Sequence, residues 1–302
     1  NGSFNFRGRD VVAAAPTGNV DAAPGADLAL TLNDAKDAQA VNDLLGRGIT
    51  LRRQDDGTIV VPAAERLAAS EVADRYGVRF TTAKAGGTAL QRRTIAAAVG
   101  PDELQVLRES GFDVRTISTA VLNAGFDWSR IDVLFVSSGL NYTQLNAAAK
   151  AGLDAFLQRG GVVTRGATGG KFNVDAHLLQ ATPVAGWEDA NGVVNMVNGT
   201  GPVGTGALPQ SFVYSPQWFT NLGAGVTVDQ RYGTTVIAAG HWRPRDNGTG
   251  GQPDAAGQAA VVSGTSAGGS KVVLFGTEPM FRNHTKGLYA QVARAIYWTG
   301  TR

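Results

Sequence analysis

The chain runs through Gly160-Gly-Val-Val-Thr-Arg-Gly-Ala-Thr-Gly-Gly170, a buried-strand pattern that enters a glycine-rich turn. Folds of the α/β class mount a nucleophile in such turns, because a Gly-x-nucleophile-x-Gly elbow lifts one side chain above the ends of a parallel sheet. Here the position falls to Thr168, and the chain contains no cysteine. A threonine hydroxyl acts as a nucleophile only with a base beside it, and catalytic threonines usually borrow a terminal amine, so the elbow reads as that of a scaffold. The histidine placed to serve Thr168 as base is His284, just before the last helix; its simpler reading is a helix-cap neighbour. Gly264-Thr-Ser-Ala-Gly268 presents a serine in the same pattern, but an apolar strand follows at once, and that spacing predicts a hairpin turn around Ser266. No two of His177, His241 and His284 stand at a metal-ligand spacing, so neither a metal nor another cofactor is expected.

Ligands of open α/β sheets settle beyond the carboxyl ends of the parallel strands. The residues there are Ser137, Ser138 and Asn141 after Val136, Arg165 and Thr168 after Val163, and Glu278, Arg282 and His284 after Phe275. With one acid, two guanidinium groups and several hydroxyls, this set suits a small anionic or peptidic ligand. Without a ligand, the same groups make a polar rim that closes the sheet or faces a neighbouring domain.

The elements that must position these residues follow from hydrophobic periodicity. Residues 1–25 read as an arm or linker without a core of its own. From residue 26 to 86 the order is strand, helix, strand, strand, helix, strand, which is that of a ferredoxin-like sandwich. Asn33 or Asp34 caps its first helix, Asp55-Asp56-Gly57 turns its hairpin, and the second helix offers Leu67, Val72 and Tyr76 inward. From residue 87 to 302, strands at 94–99, 114–117, 131–136 and 162–163 alternate with helices, which predicts a doubly wound, flavodoxin-like parallel sheet. One of those helices spans residues 141–159. Residues 171–257, dense in Gly, Asn, Pro and Thr, interrupt that rhythm as a β-rich insertion. The parallel pattern resumes at Ala259-Ala-Val-Val and Lys271-Val-Val-Leu-Phe.

Composition limits the function classes. With 302 residues, 43% of them hydrophobic and 17% charged, the chain has enough material for two or three cores and is not a disordered tail. Its 27 basic and 25 acidic residues balance to a net charge of +2, too even to drive nucleic-acid binding. No apolar run is long enough to span a membrane. The start Asn1-Gly-Ser-Phe, without initiator Met or signal peptide, is that expected of a mature or excised product. Sequons begin at Asn1, Asn141, Asn198, Asn247 and Asn283.

Four segments carry a resemblance: Val41-Asn-Asp-Leu-Leu-Gly-Arg-Gly48, Arg130-Ile-Asp-Val-Leu-Phe-Val-Ser-Ser-Gly139, Phe156-Leu-Gln-Arg-Gly-Gly-Val-Val163 and Val273-Leu-Phe-Gly-Thr-Glu-Pro-Met-Phe-Arg282. Through them, residues 26–302 resemble the region that follows the catalytic domain in bacterial secreted zinc carboxypeptidase-like proteins. In that group the second module looks like a class I glutamine amidotransferase domain that has lost its reactive cysteine. The zinc ligands of the peptidase have no counterpart in this chain, so its activity does not transfer. The resemblance implies a non-catalytic accessory region, secreted or extracellular. It would pack on a peptidase domain of the same precursor or hold a polypeptide or cell-envelope substrate. The rival expectations are a hydrolase or amidohydrolase using Thr168 and His284, and a surface adhesin or assembly protein displaying Trp187, Trp218 and Trp242.

Overall fold

The computed structural model describes residues 17–300. Most of the N-terminal arm, with the sequon at Asn1, lies outside them. The first elements are β1 (Asn19–Val20), β2 (Leu28–Leu30), α1 (Ala35–Gly46), β3 (Leu51–Arg53), β4 (Ile59–Val61), α2 (Arg66–Tyr76), β5 (Arg79–Thr82) and β6 (Thr88–Leu90). Asp34 caps α1 by accepting from Lys36 N and Asp37 N, and Asp37 reaches back to the amides of Asn33 and Asp34. The sheet order is β1-β5-β2-β4-β3-β6. Its antiparallel centre, β5-β2-β4-β3, is the arrangement expected of the β-α-β-β-α-β unit. Edge strands β1 and β6 extend it on either side, β6 lying beyond the Gly86-Gly87 pair.

The second region contains β7 (Thr94–Ala98), α3 (Pro101–Glu109), β8 (Asp113–Thr116), α4 (Thr119–Ala124), β9 (Val133–Val136), α5 (Ala147–Phe156), β10 (Gly161–Arg165) and α6 (Gly166–Asp175). Then come β11 (Thr182–Ala185), β12 (Ala190–Asn198), β13 (Gln210–Val213), β14 (Gln217–Thr220), β15 (Val226–Trp242), α7 (Gln252–Ala255), β16 (Ala259–Thr265), β17 (Lys271–Phe275) and α8 (Tyr289–Thr299). β8, β7, β9, β10 and β17 form a parallel sheet in that order. Beyond β17 the sheet continues antiparallel through β16, β15, β12 and β13.

Side-chain alternation makes the parallel part doubly wound. Ile95, Ala97, Val133, Phe135, Val163, Val273 and Phe275 point to the face covered by α3 and α8. Ala96, Ala98, Leu134, Val136, Val162, Val272 and Leu274 point to the face covered by α4, α5 and α6. The first core also takes in Leu28, Leu30, Val41, Leu44, Ile59, Val61 and Phe80, so the two sheets share it through α1 packing on α8. Helix α8 is buried almost all round, which is why its sequence lacks a polar stripe.

Several expectations need correction. Ala259-Ala-Val-Val is not a parallel strand: β16 pairs antiparallel with β17, the hairpin closing around Ser266 with Ser266 N bonded to Ser270 O at 2.8 Å. The helix expected over 141–159 starts at Ala147, because Asn146 accepts from Ala149 N and a single tight turn occupies 142–144. Leu67 is 75% exposed, since the buried stripe of α2 runs through Ala69, Val72 and Ala73. Trp218 and Trp242 are buried in a third core with Tyr232 beneath the antiparallel extension, not displayed. Among the described residues no helix is long and apolar enough to cross a membrane.

Candidate functional site

The turn between β10 and α6 is the geometric elbow of the parallel sheet. Its left-handed residue is Gly166 (φ +65), one position after Arg165. Thr168 lies two residues further, in the first turn of α6, and is therefore not the elbow occupant that spacing suggested. The strained position that would lift a nucleophile carries no side chain. A Cβ on Gly166 would meet nothing within 4 Å, so space does not dictate glycine there, whereas the backbone conformation favours it. Gly169 and Gly170 answer a different need. A Cβ on Gly169 would stand 2.8 Å from Val136 O, and one on Gly170 2.9 Å from Pro183 Cβ, so these glycines let α6 lie close on the sheet.

An elbow of this kind draws an oxyanion donor from the amide after the nucleophile. Here that amide is Ala167 N, and it is engaged. With its amide oriented by its partners, Gln217 accepts from Ala167 N at 3.3 Å and donates to Gly166 O at 3.0 Å.

Beside the elbow the predicted crevice residues bond one another. Arg165 Nε donates to Glu103 Oε1 at 2.5 Å, and its terminal nitrogen stands 3.5 Å from Glu278 Oε1. Glu103 Oε2 accepts from Gly100 N and from the Ser137 hydroxyl. Glu278 Oε1 accepts from Ser215 N at 2.7 Å, and Glu278 N donates to Phe212 O. Glu103 and Glu278 are buried. Burial raises the Glu278 carboxyl's pKa more than the Arg165 cation and the Ser215 amide lower it. Burial by itself would lower the Arg165 pKa, but the two carboxylates outweigh it and hold the guanidinium charged. Ser137, Arg165 and Glu278 are thus joined into one network through Glu103 and the backbone.

The open space lies next to this network. A depression of about 330 Å³ is lined by Thr119, Asn141, Tyr142, Thr168, Lys171 and Phe172, among others. Its residues come from the loop after β9, the start of α4 and α6. Thr119 Oγ1 accepts from Asn141 N at 2.8 Å, and Asn141 Oδ1 accepts from Thr143 N and Oγ1, which fixes the loop. The Asn141 amide nitrogen and the Thr168 hydroxyl have no partner among the described residues. Lys171 Nζ is neutralised by Asp175 at 2.5 Å. Tyr142 donates to Asp154 at 2.7 Å, and its hydroxyl is pushed up to about 12 by burial and by that carboxylate, so it stays a neutral wall.

The remaining predicted residues lie elsewhere. Ser138 is exposed and meets β7 only through its amide, bonded to Ala98 O at 3.0 Å. Arg282 and His284 belong to the loop after β17. His284 lines a groove with Lys286 and Phe212, and this groove shares no residue with the depression that holds Thr168. Thr168 and His284 thus line separate cavities. Among the described residues no group of three or more His, Asp or Glu could hold a metal ion. Sequence reasoning missed Glu103 and the Lys171–Asp175 pair, whose i, i+4 spacing was a usable signal.

No protein-family model and no curated protein matches this chain. Among solved structures it is similar to a GMP synthase component from Thermoplasma acidophilum (14% identity, 68% of this chain and 92% of that one, TM-score 0.44). It is also similar to a ThuA-like protein from Bacteroides uniformis (10% identity, 72% and 94%, TM-score 0.40). A glutamine amidotransferase from Thermotoga maritima is a further similar structure (9% identity, 70% and 99%, TM-score 0.43).

Proposed function

We propose that this chain is a non-catalytic binding region that holds a polypeptide or cell-envelope fragment in the depression formed by Thr119, Asn141 and Thr168. The observation that carries the reading is the state of the elbow. Its strained position is Gly166, the amide that would stabilise an oxyanion is bonded to Gln217, and Arg165 is ion-paired to Glu103 and Glu278. These features support a retired scaffold rather than a working one. The neighbouring depression keeps free donors at Asn141 and Thr168, aromatic walls at Tyr142 and Phe172, and a cation already paired within the protein. That chemistry suits a neutral ligand rich in hydroxyls and amides better than a strongly charged one.

The resemblance of residues 26–302 extends this proposal to context: the accessory region of a bacterial, secreted zinc carboxypeptidase-like protein, presenting substrate to its peptidase domain. Calorimetric titration with disaccharide-peptide fragments of bacterial cell wall and with short neutral peptides tests the binding reading. Paired Asn141→Ala and Thr168→Val substitutions are expected to weaken binding about tenfold, the loss of one or two ligand hydrogen bonds. Binding indifferent to both substitutions would count against the depression. Consumption of the fragment by the wild-type chain would count against a non-catalytic role.

A further inference from the structure

A second face of the molecule is built for contact. Of the seven large hydrophobic side chains that remain exposed among the described residues, four (Val193, Val197, Leu208 and Tyr214) fall on β12 and the segments flanking β13. Strand β12 alternates, burying Ala190, Val194 and Met196 and turning Val193 and Val197 outward, with Val193 opposite Phe212 in the β12–β13 register. The loop after β17 lies against this edge. Phe281 stacks on Phe212 at 4.8 Å and on Tyr214 at 4.9 Å between ring centroids. The Arg282 guanidinium covers Phe281 at 5.1 Å and Tyr214 at 5.7 Å. A groove of about 250 Å³ continues the row, lined by Val193, Leu208, Phe212, His284, Lys286 and Leu288.

The loop conformation is held at a cost. Arg282 (φ 46) and Asn283 (φ 58) are consecutive left-handed residues, neither of them glycine. Asp102 accepts from Arg282 N at 3.0 Å, Glu109 from the Asn283 side chain at 3.4 Å, and Asn283 Oδ1 from Tyr289 at 2.6 Å. Anchoring the loop accounts for the ring stack. It does not account for Arg282, whose guanidinium carbon stands 5.1 and 5.7 Å from two ring centroids while its side-chain nitrogens have no acceptor among the described residues. An arginine beside aromatic and aliphatic side chains is the composition of an interface centre.

We propose that this face docks an extended acidic polypeptide segment, with an apolar side chain in the Val193–Leu208 groove and a carboxylate paired with Arg282. Charge complementarity selects the occupant. Lys286 is paired with Glu109 at 3.9 Å, whereas the Arg282 guanidinium has no carboxylate partner among the described residues and offers the planar fork that takes a carboxylate bidentately. The rings, stacked on one another, leave few open faces for a sugar. This inference is independent of the Asn141–Thr168 depression, with which the groove shares no lining residue.

The test is fluorescence anisotropy of the full chain with labelled ten-residue peptides alternating Leu or Phe with Glu, beside matched sets carrying Lys for Glu and Ser for Leu or Phe. The Glu peptides are expected to bind and both matched sets to fail. Arg282→Gly, which suits the left-handed backbone and so keeps the loop, should weaken binding about tenfold, and Leu208→Asp likewise, with thermal midpoints unchanged for the glycine variant. Thr168→Val should leave this binding intact. Equal binding of the Lys peptides, indifference to Arg282→Gly, absence of binding, or sedimentation showing that a second copy of the chain occupies the face would each overturn the proposal.

Discussion

Arg165 donates to Glu103 at 2.5 Å immediately before the one left-handed residue of the β10–α6 turn, Gly166. The strand end that aims reacting groups in an α/β fold here aims a guanidinium into two buried carboxylates. Removing one partner of a buried ion pair leaves uncompensated charge, and Arg165→Met strands Glu103 and Glu278 together. Its expected cost is about 3–5 kcal/mol at neutral pH by urea denaturation, and the cost should shrink on acidification, because burial raises the Glu278 carboxyl's pKa and a protonated Glu278 no longer needs the cation. A neutral Arg165→Met variant would mean that the network is an ornament of the rim.

Asp37 supplies a pH dependence with a determined sign. Burial, opposed by the Asn33 and Asp34 amides, pushes its carboxyl from 3.8 to about 6. A carboxyl raised on folding favours the protonated native state. Its contribution is therefore complete below pH 3.8 and is lost as the pH climbs through about 6. At about 1.4 kcal/mol per pH unit the loss is roughly 3 kcal/mol. Asp37→Asn keeps an acceptor for both amides and should flatten stability between pH 4 and 7, leaving the variant more stable than the parent at pH 7. Urea midpoints across that range check the slope.

Arg294 joins three parts of the fold. From α8 it donates to Leu32 O in the first region and to Thr205 O at 2.5 Å in the loop between β12 and β13. The side chain is almost fully buried, so Arg294→Met strands two carbonyls at once. A loss of about 2–4 kcal/mol is expected. Amide hydrogen exchange should quicken first around residues 199–207, with the parallel sheet unaffected until global unfolding.

The ferredoxin-like order and the doubly wound alternation were legible because both rest on local periodicity. Leu30, Leu44, Val133 and Phe135 declare their faces two or four residues at a time. Periodicity did not give the antiparallel direction of β16 or the start of α5, and inferences from a single residue type failed as well. Leu67 looked like core because it is leucine, yet it sits off the Ala69, Val72, Ala73 stripe. Leu67→Ser should change stability by less than about 0.5 kcal/mol, against about 3 kcal/mol for Leu44→Ala.

At the candidate site, the strand-end rule put Asn141 and Thr168 among the crevice residues, and both line the depression. The displacement of the elbow from Thr168 to Gly166 was not, because it depends on a backbone dihedral and not on spacing. The partnership of Arg165 with Glu103 spans 62 positions of sequence and carries no local signal.

Binding without chemistry at the Asn141–Thr168 depression can be read in one sample. Two-dimensional NMR of the isotopically labelled chain, titrated with cell-wall disaccharide-peptide fragments, reports the protein's amides and the fragment's own signals together. Graded shifts at Thr119, Asn141, Thr168 and Lys171, with the fragment's resonances unchanged over days, are the expected result. Fragment signals giving way to those of a cleaved product, or saturating shifts that bypass these four residues, would contradict it.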